Sequence, residues 1–271
     1  MAELSCSPQV FAIMTALVEE RSGMSYSLQD RPLFEAKAGA RAVDAGFESM
    51  LDYYYYLRYD DPQHREFDAL VEALVVQETF FFRELPPLQA AVDGLLVPRI
   101  EGGARPRVWC AACATGEEPL TLAMLLAERN LLDKVELIAS DISTRALDKA
   151  RRGLYSPRAL RHTPLAGTAA RYLTPHGAEL RAEPALLSAI DFRCVNLLDV
   201  PALGSFDLIL CRNVLIYFDD RRVRSVVDKL AQMLVPGGAL LVGVSESLLR
   251  FGTSLHCEEL RGAFFYRKVT P

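Results

Sequence analysis

The sequence reads as an α/β chain: a doubly wound, largely parallel sheet preceded by an all-helical N-terminal segment and broken by one inserted subdomain. Three observations carry that reading. From residue 107 onward, short apolar runs alternate with helical patterns, the grammar of βαβ units. Before it, apolar residues recur at helical spacing with no strand-like alternation. With 271 residues, 51% of them hydrophobic, and a mean hydropathy of +0.12, the chain has ample material for a core and lacks the signature of disorder.

Val10, Phe11, Met14, Leu17 and Val18 place one apolar face on a first helix, which Arg21-Ser22-Gly23 ends. A second amphipathic helix is expected near 33–42 and a third, rich in tyrosine, over 47–59. Asp61-Pro62 suits the N-cap and first turn of a fourth, with Phe67, Leu70, Val71 and Leu74 on one face. Residues 101–106 read as a linker. Strands are expected at 108–112, 135–140, 191–195, 206–211, 239–244 and 263–268. Helices fit between them from about Glu117, from about Ser143 and over 219–234, the last stopped by Pro236-Gly237-Gly238. Residues 155–189 carry Pro157, Pro164, Pro175 and Pro184 without a long helix and read as an insertion; connections that long in a compact domain are usually functional. The expected domains are 1–84 and 85–271.

A net charge of −5 and a pI of about 5.5 argue against a nucleic-acid binder by bulk electrostatics. No apolar run approaches the roughly 18–20 residues of a membrane span, and the first ten residues lack a basic n-region and a cleavage site, so a cytoplasmic protein without membrane insertion is expected. The six cysteines are scattered and read as free thiols. Cys110 and Cys113 form a CxxC with no second pair to complete a four-ligand zinc site, and no metal is expected.

In an open parallel sheet, ligands bind outside the carboxyl ends of the strands, near the point where strand order reverses. After the first strand comes Ala111-Ala112-Cys113-Ala114-Thr115-Gly116-Glu117-Glu118-Pro119, whose small residues let a ligand approach backbone N–H groups. It lacks the GxGxxG of dinucleotide folds, and its two glutamates repel phosphate while suiting a cationic ligand. Asp141 closes the second strand, where it could accept from ribose hydroxyls or cap the helix that follows. Asn196 follows the third strand and Arg212-Asn213 the fourth. A nucleoside joined to an amino acid, S-adenosylmethionine, satisfies this layout.

Glu78-Thr79-Phe80-Phe81-Phe82-Arg83, the 108–119 block, Ser140-Asp141-Ile142, Cys211-Arg212-Asn213-Val214-Leu215-Ile216-Tyr217-Phe218 and Gly243-Val244-Ser245-Glu246-Ser247-Leu248, in this order, resemble the CheR chemotaxis receptor methyltransferases over nearly the whole chain. The resemblance implies a Rossmann-like S-adenosylmethionine-dependent methyltransferase sheet with a helical N-terminal domain and a small antiparallel β insertion. It implies methyl esters formed on glutamate side chains of the cytoplasmic helical bundle of chemoreceptors, with S-adenosylhomocysteine as product, by a monomer. It also implies that Gln77, Thr79, Arg83, Glu118, Asp141, Asn196, Leu197, Arg212 and Asn213 contact the cofactor, and that Arg83 and Tyr217 lie nearest the transferred methyl group.

Two departures from the family pattern matter. Gln77 stands where Asn is usual, keeping the amide on a longer arm. In the insertion, Arg171-Tyr172-Leu173-Thr174-Pro175-His176-Gly177-Ala178-Glu179-Leu180 is shorter and poorer in glycine than the loop that captures a receptor tail in some members, which points to recognition independent of a tether. A glutamate with a pKa of about 4.3 is already an anionic nucleophile at neutral pH, so esterification needs no general base and positioning suffices. Of the three phenylalanines before Arg83, at least two are expected in the core. On the second helix, Arg31, Lys37 and Arg41 form a sparse basic stripe interrupted by Glu35, readable as a substrate face or a solvated one. A methyltransferase for another substrate, or a non-catalytic donor-binding module, are the alternative readings. The acidic composition and the lack of an Asn-Pro-Pro-Tyr element argue against nucleic-acid base methylation.

Overall fold

The computed structural model describes residues 4–161 and 166–269, so Pro164 of the insertion lies outside the described residues. The chain divides into two compact units: residues 1–76 with 217–222, and residues 77–216 with 223–271. Residues 101–106, which read as a linker, run inside the second unit.

The first unit is helical. Helix α1 (Pro8–Ser22) starts at the Ser7 cap, whose hydroxyl accepts from Val10 N, and ends at Gly23, whose φ of +83° is a left-handed cap. Helix α2 (Arg31–Asp44) buries Phe34, Ala38 and Ala42. Its basic residues are committed internally: Arg31 to Glu35, Lys37 to the Leu74 carbonyl, and Arg41 by a two-pronged bond to Glu66. The expected basic stripe is therefore a set of internal braces. Buried Tyr53 donates its hydroxyl to the same Glu66 at 2.8 Å. The tyrosine-rich stretch is α3 (Met50–Tyr55) followed by a wider-wound turn over Tyr56–Asp60. Helix α4 (Arg65–Leu74) starts later than its apparent Asp61-Pro62 signal, because a turn intervenes; Asp61 still accepts from Phe67 N at 2.9 Å.

The second unit opens with α5 (Leu85–Ala91) and α6 (Val97–Glu101) and continues into β1 (Arg107–Ala111), α7 (Glu117–Ala127), β2 (Glu136–Asp141) and α8 (Thr144–Arg152). The insertion supplies β3 (Leu154–Tyr155), α9 (Thr168–Tyr172), β4 (Leu173–His176), β5 (Glu179–Ala182) and α10 (Pro184–Ser188). Then follow β6 (Ile190–Cys194), β7 (Phe206–Cys211), α11 (Asp220–Met233), β8 (Leu234–Val242), β9 (Leu255–Leu260) and β10 (Ala263–Lys268). The main sheet has the order β6-β2-β1-β7-β8-β10-β9, and β3-β5-β4 form a small antiparallel sheet.

Within the main sheet two details differ from the sequence reading. Strand β9 is an unforeseen seventh strand, and β10 runs antiparallel to both neighbours. Its polar residues, His256, Glu258 and Glu259, hide it because an edge strand needs no continuous apolar run. Pro236-Gly237-Gly238 do not end a helix; they form an irregular excursion within β8, where the register jumps between the Phe206↔Leu234 and Leu208↔Ala239 pairs.

Both sheet faces are covered, as parallel strands require. Val108, Cys110, Leu137, Ala139, Leu208, Leu210, Ala239 and Leu241 join one core with α5 and α7. Their alternates Trp109, Ile138, Ile209 and Leu240 are equally buried. Trp109 donates its indole N–H to Ser140 Oγ at 2.9 Å, which settles the one polar atom of that side chain. The six cysteines are free thiols; Cys110, Cys113 and Cys211 are buried and Cys194 is exposed. Among the described residues no helix is long and apolar enough to cross a membrane, and no cluster of potential ligands could hold a metal ion.

Candidate functional site

Strand order reverses between β1 and β7: the chain fills β2 and β6 to one side and β7 and β8 to the other. The tips of these parallel strands are where a ligand crevice belongs. The loop after β1 is held in an unusual backbone state. Ala112 (φ +60°) and Ala114 (φ +47°) are left-handed although neither is glycine, and Gly116 follows at φ +92°. Such residues cost about 1–3 kcal/mol each and persist where surrounding contacts impose them. Here Cys113 N donates to Ser140 O, Ala114 N to Asp141 Oδ2, and Tyr155 Oη to Thr115 O at 2.9 Å.

A β-carbon on Gly116 would stand 2.7 Å from Ala150 Cβ. Gly116→Ala is therefore expected to lower stability by about 2 kcal/mol through conformation and overlap together, read from the urea midpoint.

Asp141, 9% exposed, is the hinge of this region. Its Oδ2 takes the Ala114 N–H and its Oδ1 the Ser143 N–H at 2.9 Å, tying the tip of β2 to the loop after β1. The cap of α8 is Ser143, whose hydroxyl accepts from Ala146 N, so the capping alternative for Asp141 falls to its neighbour. Gln77 reaches the same place, its amide donating to Ser143 Oγ at 3.1 Å. At the tip of β6, Asn196 Oδ1 accepts from Leu198 N, and Leu197 is buried.

The β7 tip is different in kind. The Arg212 side chain is 1% exposed and lies between two carboxylates, Glu118 Oε2 at 2.6 Å and Glu84 Oε2 at 2.9 Å. It also donates to the Arg83 carbonyl, while its Nε has no hydrogen-bond partner among the described residues. Burial opposes its charge, but the two carboxylates hold the guanidinium cationic, above its ordinary pKa. Burial pushes Glu84 up, yet Arg212 with the Val244 and Asn213 donors outweighs it and holds its carboxyl below the usual range. Burial pushes the Glu118 and Glu117 carboxyls up.

Glu84 and Glu246 were not foreseen as site residues. Glu246 accepts from the backbone N–H groups of Asn213, Gly243 and Ile216, clasping the ends of β7 and β8. Its signal was present: it is the carboxylate that follows a fifth strand tip. Glu84, at φ +48°, had no signal beyond following Arg83. Glu246→Ala would strand three N–H groups and is expected to cost about 2 kcal/mol by denaturant unfolding, with Glu246→Gln recovering part of it.

Residues 77–84 join two of these strand tips, Gln77 at Ser143 after β2 and Glu84 at Arg212 after β7. Phe81 is fully buried and Phe82 packs on the core, whereas Phe80 is half-buried. Arg83 donates from Nη1 to the Glu78 carbonyl at 2.7 Å and has no ion pair among the described residues. Thr79, four positions before it, is half-buried. Gln77, Thr79, Arg83, Glu118, Asp141, Asn196, Leu197, Arg212 and Asn213 thus all belong to the second unit. Tyr217 belongs to the first, where its carbonyl accepts from Ser25 N at 2.8 Å.

The profile described as CheR methyltransferase, SAM binding domain, matches residues 77–263. The chain belongs to the CheR methyltransferase family. Chemotaxis protein methyltransferase 2 of Vibrio cholerae is 32% identical over 257 residues, covering 92% of this chain and 89% of that protein. Chemotaxis protein methyltransferase 1 of Pseudomonas aeruginosa is 30% identical over 255 residues, covering 90% and 92%. The chemotaxis protein methyltransferase of Escherichia coli is 33% identical over 260 residues, covering 90% and 86%. The CheR match begins at Gln77, the first residue of the second compact unit. The doubly wound sheet with its carboxylate-rich strand tips is therefore a CheR-type S-adenosylmethionine-binding methyltransferase unit.

Proposed function

We propose that the protein forms methyl esters on glutamate side chains in the cytoplasmic helical bundle of chemoreceptors, and so adjusts chemosensory signalling. The observation that supports this most is Arg83: a guanidinium without an ion pair among the described residues, on the segment that joins the β2 tip at Gln77 to the β7 tip at Glu84. A cation so placed suits a carboxylate acceptor.

The site fits the donor on two counts. Its carboxylates Glu118 and Asp141 suit a ligand bearing sulfonium and ammonium charge. The buried Arg212 Nε–H, which has no partner among the described residues, is a donor awaiting an acceptor, and unsatisfied buried donors are rare. Asp141 would hold the ribose, Asn196 and Leu197 the base end, and Gln77, Thr79, Arg212 and Asn213 complete the contacts. When bound, S-adenosylmethionine supplies an electrophilic methyl whose C–S bond breaks as the C–O bond of the ester forms. Arg83 would hold one oxygen of the acceptor carboxylate and leave the other free, since a two-pronged grip on both would dampen its nucleophilicity. No proton has to move, because the acceptor arrives ionised.

The β4–β5 turn supports recognition without a receptor tail. His176 pairs with Glu179, so the connection is only Gly177-Ala178 and offers little surface to a peptide.

Incubation with labelled donor and chemoreceptor cytoplasmic fragments is expected to give methyl label released by mild alkali. Alkali-stable label would reject carboxyl methylation.

A further inference from the structure

The turn that follows β3 carries a second guanidinium to the same aromatic ring as Arg83. Phe81 N donates to Ala159 O at 2.8 Å, and Phe81 and Tyr155 meet edge to face at 4.9 Å, so the start of the insertion is fastened to the 80–82 segment. Arg161 ends that turn. Its Cζ lies 4.3 Å from the Phe80 ring centroid, and Arg83 Cζ lies 5.7 Å from the same centroid. Guanidinium groups gather at aromatic faces because the ring quadrupole attracts cations. Glu78 serves both: its carbonyl accepts from Arg83 and its Oε1 from Arg161 at 2.8 Å.

The Arg161–Glu78 pair is open to exchange. The two side chains are 43% and 57% exposed, and ion pairs that wet contribute little. A carboxylate presented by a substrate can therefore take Arg161 from Glu78 at small cost. One acceptor glutamate occupies one guanidinium, Arg83. The second cation, on the same ring, is then set for another carboxylate. Neighbouring side chains on a helix stand about 5–6 Å apart at Cβ, a separation two guanidiniums sharing one ring can span.

We propose that Arg161 is a specificity-determining residue that reads an unmodified acidic side chain close to the acceptor glutamate. The inference rests on the glutamate-esterifying reading above and extends it. Its consequence is that methylation or amidation of a neighbouring glutamate, which abolishes that charge, lowers the rate at the acceptor.

The test compares the purified cytoplasmic fragment of a chemoreceptor with the same fragment in which glutamates near the acceptor are changed to glutamine. Wild-type enzyme is expected to favour the acidic fragment in kcat/KM. Arg161→Gln should shrink that preference about fivefold at low salt, and Arg161→Lys should keep part of it. The effect should fade as ionic strength rises. Equal discrimination by wild type and Arg161→Gln overturns the inference while leaving ester formation standing. A wild-type enzyme that esterifies neither fragment overturns both. Calorimetry of S-adenosylhomocysteine with Arg161→Gln supplies the control: retained affinity supports a role toward substrate, and lost affinity overturns it by assigning Arg161 to the donor site.

Discussion

Arg212→Met is expected to destabilise the second unit by about 3–5 kcal/mol, the cost of removing one member of a buried ionic group and leaving the others uncompensated. Two carboxylates depend on this one cation: Glu118 at 2.6 Å and Glu84 at 2.9 Å. The pH dependence follows from their directions. In the wild type Glu84 lies below its ordinary pKa, so its stabilising contribution is complete above the unfolded value near 4.5 and is lost as pH falls through the lower folded value. In the variant the largest opposition to burial is gone, both carboxylates shift upward, and protonation relieves them. The deficit should therefore be greatest at neutral pH and narrow on acidification. Arg212→Lys keeps the charge but not the fork that spans both glutamates and is expected to fall between. Urea unfolding at several pH values measures all of this, and a deficit constant with pH would reject the ionic account.

Asp141→Ala is expected to weaken S-adenosylhomocysteine binding by about 1.5–3 kcal/mol, roughly 10- to 150-fold, by calorimetry. The carboxylate does two things at once. It fixes the left-handed loop through Ala114 N, and it anchors Ser143 N at the start of α8. Asp141→Asn keeps one acceptor oxygen and should retain either the loop bond or the Ser143 bond, not both. An unchanged dissociation constant in Asp141→Ala would remove the residue from the donor site.

These two residues show different degrees of legibility. Asp141 stands out in the sequence because a strand tip is recognisable from the apolar run before it, and the ligand side of a parallel sheet is a rule of topology. Arg212 is equally visible as a residue following β7, and resemblance suggests a cofactor contact. Its engagement with Glu84 and Glu118 was not legible, since those partners stand 128 and 94 positions away. Glu84 itself lies in a segment with no periodicity to place it. In the same way the Arg31, Lys37 and Arg41 stripe can be read from spacing, while its use as internal bracing depends on which neighbours fold against it.

Local pattern was enough to announce alternating parallel strands and helices after residue 107, the helical first segment and the small-residue loop before Glu117, because periodicity records which faces must leave water. It could not announce the antiparallel β9–β10 edge, the left-handed alanines at 112 and 114, or the convergence of Arg83 and Arg161 on Phe80. Those arise where segments distant along the chain meet. Charge and conformation there are set by partners that no window of neighbouring residues contains.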